Sequence, residues 1–320
     1  MTLTQLRYIV ALDTFRNFKG AADHCFVTQP TLSMQIHKLE KELDVLIFDR
    51  SKQPLVPTDL GAEIVKQARC ILQETERLNE IVNHARGRKR GTLRLGIIST
   101  LAPYLLPLFI QSFYTKYPGI SLHIKELLTK DIVDGIENGT LDAGIVALPV
   151  ARRGFHSTPL FFEPLIAYVH QQHTLYSRNS ISPKDLSPDE ILLLEQGHCF
   201  REQTLKLCDH NGQLNTSRHE FSSFQSGNLE TLRNLVDTQL GITLLPYLAT
   251  LHIQNTEKEH SLRYFQEPKP ARHIGIISGR AYLKKNLLDT LASEILESIP
   301  DELKDGSARY SVISVNAPQS

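Results

Sequence analysis

Residues 18–43 read Phe-Lys-Gly-Ala-Ala-Asp-His-Cys-Phe-Val-Thr-Gln-Pro-Thr-Leu-Ser-Met-Gln-Ile-His-Lys-Leu-Glu-Lys-Glu-Leu. The start of this stretch, with Ala21 and Ala22, suits a short helix, and a tight break follows. Thr28 then offers a side-chain oxygen to the free N–H groups of a new helix, and Pro30 sits in its first turn, where a missing N–H costs nothing. Leu32, Ile36, Leu39 and Leu43 recur at steps of four, three and four, so one face of that helix is apolar. Gln29, Thr31, Gln35 and Lys38 lie on the opposite side, with Ser33 beside them. A short helix, a tight turn and a helix that opens polar and uncharged make a helix-turn-helix. Gln, Thr and Ser can reach base edges in a major groove, while Lys38 suits a phosphate. A small helical bundle with a solvated polar face is the competing reading.

Working outward, Leu3, Leu6, Ile9, Val10 and Leu12 repeat at helical spacing ahead of this unit. Behind it, short apolar stretches at 46–48 and 55–56 flank Asp-Arg-Ser-Lys-Gln-Pro, which reads as a two-stranded wing whose tip, Arg50 and Lys52, touches a DNA backbone. From Thr58, a candidate cap, no proline interrupts the chain until Pro103. Ile64, Ala68, Ile71, Thr75, Leu78, Val82 and Ala85 step in alternating fours and threes, a heptad seam. Such a seam buries nothing in a lone helix, so it predicts a linker helix that pairs two copies of the chain. Two helix-turn-helix units on a two-fold axis would read two half-sites. The basic run Arg-Gly-Arg-Lys-Arg-Gly at 86–91 ends the helix as a hinge.

Lys and Arg balance Asp and Glu at 35 each over 320 residues, but unevenly: residues 1–90 hold 14 basic against 11 acidic side chains, and the rest 21 against 24. The tilt points the N-terminal part toward a polyanion. Met1 leads straight into polar and apolar alternation without a signal peptide, and no apolar run approaches the ~18 residues of a membrane span. The expectation is a cytoplasmic protein of two or three domains with no membrane partner. Past residue 91, strands at 92–98, 122–127, 141–147 and 242–245 alternate with helices at 104–116, 131–137 and 228–240. This is the rhythm of an α/β fold with a parallel sheet, long enough for two lobes and a cleft between them. The chain carries no Gly-x-Gly-x-x-Gly, phosphate loop, Gly-x-Ser-x-Gly or His-Glu-x-x-His, so nucleotide, hydrolase and zinc-protease chemistry have no support, and neither cofactor nor metal is expected.

Four cysteines are too few for a disulfide scaffold. Cys25 and Cys70 read as small buried hydrophobes. Cys199 and Cys208 differ, because residues 202–210 read as helical. Nine helical steps set two Cα atoms roughly 13 Å apart on opposite faces, whereas a disulfide needs about 4 to 7 Å. If these thiols pair, the segment between them must unwind, which outlines a redox switch. Gly197 and His198 interrupt the preceding apolar run, so Cys199 falls near a helix start. Free N–H groups there, with His198 and Arg201, are expected to lower its pKa and favour a thiolate. Cys208 is the candidate resolving partner. Inert packing of both thiols stays open, and so does a zinc site of His198, Cys199, Cys208 and His210, although its spacing matches no common zinc motif.

Three stretches resemble the DNA-binding domain of LysR-type transcriptional regulators: Gln-Leu-Arg-Tyr-Ile-Val-Ala-Leu at 5–12, Ala-Ala-Asp-His-Cys-Phe-Val-Thr-Gln-Pro-Thr-Leu-Ser at 21–33, and Lys-Leu-Glu-Lys-Glu-Leu at 38–43. Pro-Tyr-Leu-Leu-Pro at 103–107, Gly-His-Cys-Phe-Arg-Glu-Gln at 197–203, and Leu-Glu-Thr-Leu-Arg-Asn-Leu-Val at 229–236 with Gly-Ile-Thr-Leu-Leu-Pro at 241–246 resemble the peroxide-sensing members of that family. The resemblance implies an α/β protein with an N-terminal winged helix-turn-helix at 1–58, a linker helix at 59–90 and a two-lobed, periplasmic-binding-protein-like (type 2) regulatory domain at 91–305. The tail at 306–320 lies outside it, and its Ser, Asn and Gln content suggests disorder.

By the same resemblance Cys199 is the peroxidatic cysteine and Cys208 the resolving one. Thr100, Thr129, His198, Arg201 and Arg272 then line the peroxide pocket, and Gln29, Pro30, Thr31 and Ser33 belong to the recognition helix. Phe200 and Glu202 stand where the better-known pattern has Leu and Asp, and the bulkier Phe200 would alter how the segment unwinds. The implied partners are promoter DNA, RNA polymerase, further copies of the chain as a dimer and tetramer, and a glutaredoxin- or thioredoxin-type reductant for reset. The expected function is a DNA-binding activator of oxidative-stress genes, not an enzyme, switched by a Cys199 to Cys208 disulfide. Its rivals are a LysR-type regulator answering to a small organic effector between the lobes and a thiol peroxidase with a DNA-binding appendage.

Overall fold

The computed structural model describes all residues except 86–88, 151, 153, 209–225, 254–259, 280–283, 305–306 and 315–320. They form two compact units, residues 1–88 and, apart from a turn at 137–140, residues 89–320.

In the first unit, α1 (Leu3–Phe15) starts with a capping box: the Thr2 hydroxyl accepts from the Gln5 N–H while the Gln5 side chain accepts from the Thr2 N–H. Asn17 caps α2 (Phe18–His24) and Thr28 caps α3 (Gln29–Leu43), with Pro30 in the first turn as the sequence predicts. Leu32, Ile36 and Leu39 are fully buried against Ile9, Leu12 and Ala21. Each contributes about 1.5–3 kcal/mol by leaving water. Leu43, last of the series, stays partly exposed. Strands β1 (Phe48–Asp49) and β2 (Val56–Pro57) pair antiparallel as the wing.

Helix α4 (Asp59–Ala85) starts where the Thr58 hydroxyl accepts from the Gly61 N–H at 2.9 Å and donates to the Leu46 carbonyl at 2.8 Å. Glycine is required at 61, because a Cβ there would run into the Ile47 carbonyl. The seam of α4 is not wholly a surface for a second copy. Val65 and Ala68 are buried in the chain's own helix-turn-helix core, Ile64 and Ile71 pack against it, and Arg69 reaches Asp13 of α1 at 2.8 Å. The first turns of α4 thus complete the small N-terminal core, which three short helices alone cannot close. Leu78, Ile81 and Val82, farther on, are exposed at 65%, 56% and 47%. The side chain of Ala85 and the hinge residues 86–88 lie outside the described residues.

The second unit runs β3 (Gly91–Ile98), α5 (Ala102–Lys116), β4 (Ile120–Leu127), α6 (Thr129–Glu137), β5 (Ala143–Leu148), β6 (His156–Tyr168), β7 (Ser180–Ile181), α7 (Cys199–Cys208), α8 (Leu229–Asp237), β8 (Thr243–Pro246), α9 (Tyr247–Thr250), β9 (Leu262–Phe265), β10 (Lys269–Ser278), α10 (Lys285–Ser298) and β11 (Tyr310–Val312). β3 pairs parallel with β4 and β5, the rhythm read from the sequence. The whole sheet is mixed, however, because β10 runs antiparallel to β5 and β6, and β6 antiparallel to β8 and β9. β6 and β10 join the two lobes: residues 156–164 of β6 pair with β10 and residues 165–168 with β8. These strands escape a sequence reading because Pro159 and Pro164 interrupt one, and Pro270 and Gly275 the other.

The described part of the tail departs from its expected disorder, residues 306 and 315–320 lying outside the described ones. Residues 310–312 form β11, paired parallel with β10, and Ile313 packs against the core. The helix expected at 202–210 begins earlier, at Cys199; residues 209 and 210 lie outside the described ones. Among the described residues no helix is long and apolar enough to cross a membrane.

Candidate redox site and DNA-facing helix

Gly197, with φ of 98°, makes a left-handed turn that delivers His198 and then Cys199, the first residue of α7. Cys208, nine positions on, is the last described residue of the same helix, and both cysteines are free thiols. At 1.5 Å per residue the helix holds their Cα atoms about 13 Å apart.

Arg272, on β10, organises the site. It is fully buried; its Nε donates to Glu163 Oε2 at 2.9 Å and its Nη1 to Thr100 Oγ1 at 2.8 Å, while Nη2 donates to the Thr100 carbonyl at 3.1 Å. Glu163, on β6, is equally buried, and its other oxygen accepts from the Leu248 N–H at 2.9 Å. The guanidinium carbon lies 5.3 Å above the Phe200 ring, so Arg272 reaches α7 next to the reactive position.

Burial raises the Cys199 pKa, although the Arg272 charge opposes this, together with a donor contact from Thr129 and backbone N–H groups. Among the described residues the buried Thr129 Oγ1 has no hydrogen-bond partner, so it is available to the sulfur. The net direction corrects the expectation of a lowered value: desolvation of the thiolate outweighs helix start and cation. The two residues expected to supply the positive charge point elsewhere. Arg201 Nη1 donates to the Leu194 carbonyl at 2.8 Å, and the buried His198 sits with Nδ1 3.1 Å from Ser99 Oγ and Nε2 3.6 Å from Glu195. Thr129 and Arg272 therefore act on Cys199 and Thr100 holds Arg272, while His198 and Arg201 are bonded elsewhere. At the far end of α7, apolar burial pushes the Cys208 thiol up to about 12.

Sequence reasoning missed Glu163, the counter-ion of Arg272. Its signal was present: a lone acid in Phe-Phe-Glu-Pro-Leu-Ile at 161–166 needs a buried cation.

In the first unit Gln29, Pro30, Thr31 and Lys38 are exposed on α3, with the Thr31 hydroxyl 2.8 Å from that of Thr28. Ser33 and Gln35 are half-buried, and Gln35 accepts from Gln5 Nε2 at 3.3 Å. Arg50 is tied down: its Nη2 donates to the buried Glu40 at 2.8 Å, the carboxylate that also accepts from the Ile47 and Phe48 N–H groups. It anchors the root of the wing as well as facing solvent. Lys52 is exposed, 4.0 Å from Asp49. Cys25 packs against the helix-turn-helix core, and burial raises its pKa.

Residues 3–62 match the bacterial regulatory helix-turn-helix protein, lysR family, and residues 86–299 match the LysR substrate binding domain. The DNA-binding transcriptional dual regulator OxyR of Escherichia coli is 36% identical over 279 residues, covering 87% of this chain and 89% of that one. A cysteine-to-aspartate variant of full-length OxyR from Pseudomonas aeruginosa superposes with a TM-score of 0.78 at 35% identity, covering 93% of this chain and 99% of that one. A cysteine-to-serine OxyR mutant from Corynebacterium glutamicum with hydrogen peroxide bound gives a TM-score of 0.61 at 28% identity, covering 93% of this chain and 92% of that one.

Proposed function

We propose, for a chain that belongs to the LysR family of bacterial helix-turn-helix regulators, a DNA-binding transcriptional regulator that responds to hydrogen peroxide through Cys199. The observation that carries this reading is one helix that carries both cysteines, the first beside a buried arginine and a threonine hydroxyl.

Peroxide enters next to Cys199, where Arg272 and Thr129 support the thiolate. The sulfur attacks one peroxide oxygen, the O–O bond breaks, and a proton from the pocket or solvent completes the departing water; sulfur loses two electrons and becomes a sulfenic acid. Unwinding of α7 then brings Cys208 within reach. Its sulfur attacks that of Cys199, the S–S bond forms, the S–O bond breaks, and the hydroxyl leaves as water with the thiol proton of Cys208. A glutaredoxin- or thioredoxin-type dithiol reverses the state by exchange.

Residues 1–58 serve as the DNA-binding domain, 59–90 as the linker and 91–305 as the regulatory domain. Gln29, Thr31 and Ser33 read bases, while Lys38, Arg50 and Lys52 hold phosphates. The exposed stretch Leu78, Ile81 and Val82 of α4 pairs two chains, and two dimers form a tetramer. A new packing of the regulatory domain resets the spacing of the DNA-binding arms, and the rearranged complex engages RNA polymerase to activate transcription. DNase footprints of reduced and peroxide-oxidised protein on one promoter test this: the protected spacing should shift, and identical footprints would refute it.

A further inference from the structure

We infer that the C-terminal segment at 310–314 is a latch that holds helix α7 in its reduced, wound form, with Gln203 as the positioning residue that couples the two. This inference rests on the disulfide switch proposed above and names what restrains it.

The segment grips both halves of the switch. On one side β11 lies along β10, with Tyr310 opposite Lys269 and Val312 opposite Ala271, and the Ile313 N–H donates to the Ala271 carbonyl at 2.9 Å. The next residue of β10 is Arg272. Tyr310 also stacks on Phe162 at 6.0 Å, which in turn stacks on His273 at 4.3 Å, and its hydroxyl donates to the Glu302 carbonyl at 3.2 Å. On the other side, α7 reaches out to the segment. Gln203 Nε2 donates to the Ile313 carbonyl at 3.2 Å, and Lys206 Nζ to the Ser314 carbonyl at 2.8 Å.

Gln203 decides what these contacts do. Its side chain is fully buried, and among the described residues its Oε1 has no partner and the bond to Ile313 is its one side-chain hydrogen bond. A buried amide already half unmatched has little reason to stay in place once Ile313 leaves. Gln203 and Lys206 both lie between the cysteines, so the unwinding that lets Cys208 reach Cys199 must break both bonds to the segment. Oxidation of Cys199 to the sulfenic acid breaks neither. The latch therefore opposes the second step and leaves the first untouched, setting how readily a sulfenic acid becomes a disulfide.

The test uses the full chain, a chain ending at Ala308, Gln203→Met and Lys206→Met, each reduced and mixed with hydrogen peroxide. Sulfenic acid is trapped with a carbon nucleophile, and the disulfide is followed by quenched-flow peptide mapping. Sulfenic-acid formation should stay within about twofold across all four, while disulfide closure should be about tenfold faster in the shortened chain and about threefold faster in Lys206→Met. A tenfold change corresponds to ~1.4 kcal/mol, less than one neutral and one charge-assisted hydrogen bond contribute together, as expected where the transition state has lost only part of them. Amide exchange in α7 should quicken while that in α5 does not, which separates release of the latch from general loosening.

Equal closure rates in the full chain and the variants would overturn the latch while leaving the peroxide switch standing. Failure of the full chain itself to form the Cys199 to Cys208 link would instead overturn the proposed function. Should the shortened chain lose its cooperative melt, Lys206→Met, altered only at an exposed side chain, decides alone.

Discussion

Arg272 and Glu163 form a fully buried ion pair, and removing either partner should separate stability from reactivity. Arg272→Met leaves the Glu163 carboxylate buried and unpaired and strips Thr100 of its donor, a loss of about 3–5 kcal/mol of folding stability. It also removes the cation that opposes desolvation of the Cys199 thiolate, so the already raised pKa moves further up. Every ~1.4 kcal/mol of thiolate stabilisation lost is a tenfold loss in reactive thiolate below the pKa, so peroxide oxidation at neutral pH should slow at least about tenfold. Glu163→Gln behaves differently. The amide can still accept from the Leu248 N–H, yet it presents an N–H to Arg272 where a carboxylate stood, and stability again falls by about 3 kcal/mol. The Arg272 charge, no longer compensated, now acts more strongly on the sulfur, and oxidation should be as fast as in the wild type or faster. The double variant, without either buried charge, should regain stability to within about 2 kcal/mol but not reactivity. Urea melts give the stabilities, and stopped-flow oxidation across pH gives the thiolate midpoint. An Arg272→Met protein with the wild-type rate and midpoint, or a Glu163→Gln protein slowed as much as Arg272→Met, would refute this reasoning.

Cys208 should make the fold sensitive to alkali. Its pKa in the folded state, about 12, lies above the ~8.5 of an unfolded thiol, so its contribution is complete below about pH 8.5 and is lost as pH climbs toward 12, at up to ~1.4 kcal/mol per unit. Denaturant melts at pH 8 and pH 10 should show this slope, and Cys208→Ala should lower it, what remains coming from Cys199 and Cys25, whose thiols burial also raises. Lys38→Ala should weaken binding to all DNA sequences alike and lower the slope of log affinity against log salt by about 0.9, as measured by fluorescence anisotropy; a sequence-selective loss would assign Lys38 to bases instead. Leu78→Glu combined with Val82→Glu should shift the chain toward monomer in sedimentation without lowering the melting temperature of the helix-turn-helix core, since these side chains are exposed.

The helix-turn-helix was legible because each of its signals is local: Thr28 as a cap, Pro30 in a first turn and the spacing from Leu32 to Leu39 need no distant partner. The strands joining the lobes were not, since β6 and β10 carry prolines and owe their pairing to each other across a long separation in sequence. The same contrast holds at the site. Cys199 near a helix start, after Gly197 and His198, and Cys208 within the same helix follow from the local sequence, but the pKa direction does not. Arg201, two residues away, turns to a backbone carbonyl, while Arg272, 73 positions on, supplies the charge. The heptad seam misled over its first half because periodicity cannot distinguish a second copy from the chain's own α1. The tail misled because composition is silent about an open strand edge on β10.

The decisive measurement is peptide mapping without reductant after about one equivalent of hydrogen peroxide meets the reduced full-length protein. A Cys199 to Cys208 cross-link formed within seconds, with Cys25 and Cys70 still free, is the expected result. Cys199 left reduced, or arrested as a sulfenic acid with Cys208 untouched, would contradict the two-cysteine switch and turn attention to an organic effector between the lobes.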